Sequence, residues 1–147
     1  MLALGEGDRA ELFACGLAVG VRSHSLSGLC RARGMSPRYI ACGPVWPTLT
    51  KAMPWRPQGL LNLAWWRRMA GVPVVAIGGI LEAEQVQAAA ACGVNGVCVV
   101  RGLGEDFQQT VPVLKQALDV GGAAVKAEGH RELPRPSLDR RWHTACS

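Results

Sequence analysis

The stretch I-A-C-G-P-V-W-P-T-L-T-K, residues 40–51, carries the signals that decide the fold. It starts as a short apolar run that ends at Gly43, as expected for a strand buried on both faces of a parallel sheet. The loop that follows is stiffened by Pro44 and Pro47, whose rings restrict the backbone. A buried strand followed by a stiff polar loop is the start of a strand–loop–helix unit.

The same loop presents two hydroxyls and an ammonium group, on Thr48, Thr50 and Lys51. Hydroxyls donate hydrogen bonds to phosphate oxygens, and lysine supplies a compact positive charge. At the carboxyl end of a strand, these groups predict a phosphate or pyrophosphate site. The alternative is an ordinary surface loop, and the rest of the chain has to decide between the two.

The strand–helix pattern occurs four times along the chain. Strands are predicted at 17–21, 39–42, 73–77 and 96–100, and helices at 26–33, 60–70, 82–91 and 107–118. Units that recur at roughly 20 to 35 residues predict an α/β fold with a parallel sheet. Four units make half of an eight-unit barrel. After residue 120 the pattern stops, so 1–120 is predicted as the folded part and 121–147 as a disordered tail.

The composition limits the function classes. The chain has 147 residues, 49% of them hydrophobic and only 18% charged, which indicates one domain or part of one, with some apolar surface covered by a partner. The net charge is +5, but no long basic run with interleaved aromatic residues occurs, so no nucleic-acid partner is expected. No apolar segment reaches membrane-spanning length, so no membrane association is expected.

The six cysteines form no C-x-x-C pair, and Met1–Leu4 lacks the basic start of a signal peptide. Reduced thiols and a cytoplasmic location are therefore expected.

Further candidate site residues follow the other predicted strands. Gly78 and Gly79 come directly after the third strand, where glycines let a phosphate approach the backbone and the next helix offers N–H groups; a tight turn is the alternative. Arg22 and Arg101 follow the first and fourth strands and can contact an anion or form ion pairs at the rim. His24 is either a catalytic acid or base or, as we favour, a hydrogen-bonded structural residue.

The order of these motifs resembles the thiamine phosphate synthase family over about residues 4–118. The most specific segment is G-P-V-W-P-T-L-T-K at 43–51, whereas P-V-V-A-I-G-G-I at 73–80 is shared with other phosphate-binding barrels. G-V-N-G-V-C-V-V at 93–100 follows in the family's order. L-G-E-G-D at 4–8 resembles the family's L-G-Q-E-D.

The resemblance implies a (β/α)8 barrel that joins hydroxymethylpyrimidine diphosphate to a thiazole phosphate, with Mg²⁺, giving thiamine phosphate and pyrophosphate. By resemblance, Thr48 and Thr50 hold the region of the thiazole phosphate, and the backbone N–H of Gly79 binds it. Lys51 faces the leaving pyrophosphate and is the catalytic residue, and Asp8 matches a magnesium ligand. Pyrophosphate would depart to leave a pyrimidine carbocation, which the thiazole nitrogen captures.

The chain also departs from the family pattern. Arg22 and Arg101 stand where the family usually or often has serine, and the family's amino-terminal Q-x-R-x-K segment and Asn-Asp pair have no counterpart. The expectation is therefore a partial TIM barrel, strands five to eight with a short amino-terminal remnant, which self-associates through its exposed edges. The alternatives are the related thiazole tautomerase, a non-catalytic module that binds a phosphate ligand, and a fragment without an independent role.

Overall fold

The computed structural model describes residues 11–12, 14–16, 19–48 and 56–128. Its four strands are β1 (Gly20–Ser23), β2 (Tyr39–Cys42), β3 (Val74–Ile77) and β4 (Gly96–Cys98). They form one parallel sheet in the order β1-β2-β3-β4. The helices are α1 (Leu26–Gly34), α2 (Gly59–Met69), α3 (Ala83–Ala91) and α4 (Phe107–Glu128), and a 3₁₀ turn spans Arg101–Leu103. The predicted α/β fold with a parallel sheet is confirmed.

The main difference from the sequence prediction is the length of α4, which continues to Glu128 instead of ending at residue 118. Gly121 and Gly122 were expected to stop it. Gly121 instead packs against α3 so closely that a Cβ there would lie 2.3 Å from the carbonyl oxygen of Gln87. The glycine therefore allows two helices to approach each other. The predicted domain boundary at residue 120 stays a prediction, and residues 129–147 lie outside the described residues.

Smaller differences concern the strand ends. The first strand was predicted at 17–21 but runs from Gly20 to Ser23, with residues 17 and 18 outside the described part. The fourth was predicted to reach residue 100 but ends at Cys98, because the chain turns into the 3₁₀ segment. The second strand has the predicted bounds.

One face of the sheet, which we call the covered face, packs against the helices. The register aligns Ile40 with Val74 and Cys42 with Ala76, and all four side chains are 0% exposed. All four described helices contribute buried side chains to the same cluster, among them Leu29, Leu63, Val86 and Ala117. The hydrophobic core therefore lies between the sheet and one layer of helices.

The opposite face, which we call the open face, carries the alternate residues of the strands. Ala41 pairs with Val75, and Ile77 pairs with Cys98, and these four side chains are only half-buried. Arg22, which pairs with Ala41, is exposed. The described helices place their core residues on the other side, so this apolar face lacks a second layer.

A groove lies beside the edge strand β4, between α3 and α4. It encloses about 220 Å³ and is lined by apolar side chains, among them Val99, Val111 and Leu118, with Lys115 at its wall. Phe107, at the start of α4, is 58% exposed. None of the described helices is both long and apolar enough to span a membrane.

Candidate functional site

The loop after β2, residues 43–48, is bonded to the turn after β3; we call it the proline loop. The N–H of Val45 donates to the carbonyl oxygens of Ile77 and Gly78, both at 3.1 Å, and the N–H of Trp46 donates to Gly78, also at 3.1 Å. Val45 is 1% exposed, so these bonds lie in a dry environment. Backbone hydrogen bonds thus join two neighbouring loops at the carboxyl edge of the sheet.

The beginning of α2 holds the proline loop from the other side. The N–H of Gln58 donates to the carbonyl of Pro44 at 2.7 Å, and that of Gly59 donates to Val45 at 3.0 Å. The first N–H groups of a helix have no partner inside the helix. In α2, which has no side-chain cap, two of them are satisfied by the loop. The loop is therefore fixed although it has no regular secondary structure.

The glycine turn, Gly78–Gly79, has a backbone that only glycine adopts easily. Its φ angles are +90° and +74°. A Cβ on Gly78 would lie 2.8 Å from the Cα of Pro44, and one on Gly79 would lie 2.4 Å from the carbonyl oxygen of Trp46. Within the described residues no acceptor takes the N–H of Gly79. The turn therefore packs directly under the proline loop.

The start of α3 offers fewer free N–H groups than the sequence led us to expect. The carboxylate of Glu82 accepts the N–H of Gln85, while the Gln85 side-chain oxygen accepts from Leu81 at 2.7 Å and Glu82 at 3.2 Å. This reciprocal capping box satisfies two of the first four N–H groups of the helix and places a negative charge there. The capping box leaves the N–H groups of the first turn between these two positions, so the expected contribution of this helix start to an anion site stays a prediction.

The 3₁₀ turn after β4 reaches the same edge. A Cβ on Gly102 would lie 2.5 Å from the carbonyl oxygen of Leu81, so this turn packs against the segment that follows Gly79. In βα barrels, phosphate is often bound by the loops after the last two strands together with a short extra helix. The loops after β2, β3 and β4 therefore form one continuous edge with the elements of such a site.

His24, which follows β1, is engaged with the proline loop. Its Nδ1 bonds to the carbonyl oxygen of Gly43, and its own carbonyl accepts from Nε2 of Gln58 at 2.9 Å. A carbonyl oxygen is only an acceptor, so Nδ1 must carry the proton. This geometry favours the structural alternative for His24. Gln58 was not singled out from the sequence, since its partners are remote along the chain.

The sequence-predicted site residues fall into three groups. Gly78, Gly79 and the half-buried Thr48 lie together at the carboxyl edge. Arg22 is exposed on the open face, and Arg101 is exposed in the 3₁₀ turn. The three others lie outside the described residues: Asp8, Thr50 and Lys51.

No metal cluster stands out in the described part of the chain, and two of its thiols are made less reactive by burial. Among these residues, no group of three or more His, Cys, Asp or Glu side chains can hold a metal ion. Burial raises the pKa of the Cys42 thiol strongly and that of Cys92 to about 11, so both stay protonated at neutral pH. They serve as small core residues.

Comparison with known proteins decides the family. The family model described as thiamine monophosphate synthase matches residues 6–103, which is more than half of the chain. The chain belongs to this family. The thiamine monophosphate synthase family is the one that the motifs resembled, and both the glycine turn and the whole proline loop fall within the matched range.

Individual relatives agree with the assignment to the thiamine monophosphate synthase family. The thiamine-phosphate synthase of Rhizobium etli is 45% identical over 94 residues, which is 63% of this chain and 46% of the relative. That of Neisseria meningitidis serogroup B is 44% identical over 99 residues, 67% of this chain and 48% of the relative. The chain spans about half the length of these curated relatives.

A solved structure is also similar. The thiamine phosphate pyrophosphorylase from Pyrococcus furiosus superposes with a TM-score of 0.64 at 29% identity, over 76% of this chain and 54% of that one. The four-stranded parallel sheet therefore corresponds to about half of this Pyrococcus furiosus structure.

Proposed function

We propose that this chain is the carboxyl-terminal half of a thiamine phosphate synthase. The enzyme would join hydroxymethylpyrimidine diphosphate to a thiazole phosphate and release thiamine phosphate and pyrophosphate. The observation that carries the proposal is the backbone-to-backbone packing of the proline loop on the glycine turn. It supports a shared edge for Thr48 and the N–H of Gly79, in a chain of this family.

The proposed roles follow from the chemistry of each group. Thr48 and Thr50 donate hydrogen bonds to the thiazole phosphate, together with the N–H of Gly79. Lys51 offsets the charge that develops on the departing pyrophosphate, and this kind of positioned charge is a large part of most catalysis. Asp8 would hold Mg²⁺, which when bound neutralises further charge on the pyrophosphate. Arg22 and Arg101 would add anion contacts at the rim.

The reaction breaks the bond between the pyrimidine methylene carbon and the pyrophosphate oxygen, with both electrons leaving on oxygen. The thiazole nitrogen then donates its lone pair to the resulting carbocation. Neither step needs a general acid or base. An edge built from backbone donors, hydroxyls and cationic side chains suits this chemistry. Because the reaction needs no acid or base, a His24 that is bonded to the backbone also agrees with it.

We further propose that the sheet is half of a (β/α)8 barrel. In its support, the four strands are parallel in sequential order, both edge strands lack a neighbour in the described part of the chain, and the open face is apolar. The chain also covers about half of each curated relative, which is the share expected of half a barrel. Taken alone, such a half would self-associate through its open face and edges.

The half-length coverage also favours a second candidate, a module that binds a phosphate ligand without turnover. Both candidates use the same edge, but only the synthase transfers the pyrimidine group.

The described cysteines are all free thiols, in line with the cytoplasmic location that we propose.

A turnover assay separates the two candidates. The chain is mixed with the amino-terminal half of the Rhizobium etli relative, both substrates and Mg²⁺, and thiamine phosphate is quantified. We expect product from the mixture, and a loss on the order of 10²-fold in Lys51→Ala. The matched control is Lys115→Ala, an exposed lysine on α4 that should keep full activity. Binding of thiazole phosphate without any product would favour the binding module.

A further inference from the structure

The proline loop owes its position to contacts from outside the loop. Its N–H groups bond to the end of β3, and its carbonyls bond to the start of α2. The first residue of the loop, Gly43, is held from the neighbouring strand β1: its N–H donates to the carbonyl of Ser23 at 3.4 Å, and its own carbonyl is held by a side chain. His24 Nδ1 bonds to its carbonyl oxygen from the neighbouring strand end.

Gln58 completes this arrangement. Its side-chain Nε2 donates to the carbonyl of His24 at 2.9 Å, while its backbone N–H donates to the carbonyl of Pro44 at 2.7 Å. The two residues are 34 positions apart in sequence and hold two consecutive residues of the loop. We call the pair His24 and Gln58 the clamp.

The clamp is connected to the candidate phosphate site by a short path. Two residues after Gly43, the N–H of Val45 bonds to Gly78, and the next N–H, that of Trp46, bonds to the same carbonyl. Gly43 packs directly against β3, because a Cβ added to it would lie 1.9 Å from the carbonyl oxygen of Ile77. The residue therefore cannot shift toward that strand. A change at the clamp is therefore transmitted to the loop that packs over Gly79.

We propose that His24 is a positioning residue which, with Gln58, fixes the proline loop so that Thr48 and the N–H of Gly79 meet the same phosphate group. The identity of that ligand rests on the proposed function. The effect of the clamp on the loop does not depend on it.

The chemistry of the imidazole separates this role from acid–base catalysis. The Nδ1–H is present both in the neutral tautomer that donates from Nδ1 and in the imidazolium ion. Protonation of the ring therefore leaves the bond to Gly43 in place. A positioning role therefore requires only this donor, whereas a proton-transfer role requires a side chain that can gain and lose a proton.

The experiment compares two amides at position 24. In His24→Asn the side-chain nitrogen lies about where Nδ1 lies, whereas in His24→Gln the extra methylene carries the donor past Gly43. Titration calorimetry with thiazole phosphate should give about the wild-type affinity for His24→Asn and about fivefold weaker binding for His24→Gln and His24→Ala, the effect of one hydrogen bond. Equal losses in all three variants would overturn the proposal.

Amide hydrogen exchange provides a readout that needs no ligand. The N–H groups of Val45 and Trp46 should exchange faster in His24→Ala and His24→Gln, but not in His24→Asn. The matched control is Asn95→Ala, which removes a side-chain bond to the N–H of Val74 at the opposite edge of the sheet. This control should leave exchange at Val45 and Trp46 unchanged.

The outcomes separate the two proposals. If exchange follows the clamp but wild type does not bind thiazole phosphate even with the amino-terminal half supplied, the proposed function fails and the clamp stands. If exchange and affinity stay at wild-type values in His24→Ala and His24→Gln, the clamp is refuted. Should His24→Ala fail to fold, Gln58→Leu removes only the second contact, and it must also speed exchange at Val45.

Discussion

The covered face and the open face belong to the same four strands but differ in what they contact. On the covered face, Ile40, Cys42 and Val74 are fully buried under helices. On the open face, Val75 and Ile77 are equally apolar yet only half-buried. Parallel sheets are normally buried on both faces. The difference shows that the described helices provide one layer of two, and that none of them covers the open face.

The candidate site lies where the two faces end. Backbone hydrogen bonds within the described residues hold the loops of the site. Arg22, by contrast, lies exposed on the open face, where no second layer packs against it in the described part of the chain. The edge that carries the candidate site is therefore formed within the chain, whereas the open face is uncovered in the described part of it.

The largest expected contrast between the faces is in stability. Ile40→Ala, on the covered face, should lower the free energy of unfolding by about 2–5 kcal/mol, because it leaves a cavity in a closed core. Ile77→Ala makes the same truncation on the open face and should cost less than half as much. Urea denaturation monitored by circular dichroism gives both values. Equal losses would show that the open face is already covered.

The next contrast is in thiol reactivity. Cys42 lies on the covered face and Cys98 on the open face. Burial excludes reagent from Cys42 and raises its pKa, so labelling there needs an opening of the fold. With a maleimide at neutral pH, peptide mass spectrometry should show Cys98 labelled about 10²-fold faster than Cys42. Comparable rates would contradict the assignment of the two faces.

The smallest expected effect concerns self-association at the β4 edge. Val111 lines the groove beside β4, and Val113 is roughly 200° away around the same helix and 53% exposed. Val111→Glu should weaken self-association about tenfold, because it places a charge in an apolar contact. Val113→Glu is the matched control and should change it little. Sedimentation velocity over a concentration series measures both, and a monodisperse wild-type monomer would refute the self-association proposal.

Local patterns in the sequence were sufficient for most of the fold. Strand β2 was predicted with its observed bounds, because a short apolar run between polar segments is typical of a buried strand. The end of α4 was missed because Gly121 serves a contact with Gln87 on another helix. A glycine that stops a helix and one that lets two helices approach look the same in sequence.

The candidate site was predictable to a similar extent. The glycine turn and the proline loop were expected on one edge, since the ends of parallel strands share it. The capping role of Glu82 and Gln85 was missed although the pair has capping-box spacing, since the motif was interpreted only as the start of a helix. The role of Gln58 was not predictable, because both its partners come from other loops.

The most direct test of the central claim, a phosphate site on the glycine turn, is a calorimetric titration of thiazole phosphate into the chain combined with the amino-terminal half of the Rhizobium etli relative. Wild type should bind, and Gly79→Ala should not, since its Cβ would lie 2.4 Å from the carbonyl of Trp46. Gly104→Ala, at φ +62° with nothing within 4 Å, should bind like wild type. Undiminished binding by Gly79→Ala, or none by wild type, would contradict the account.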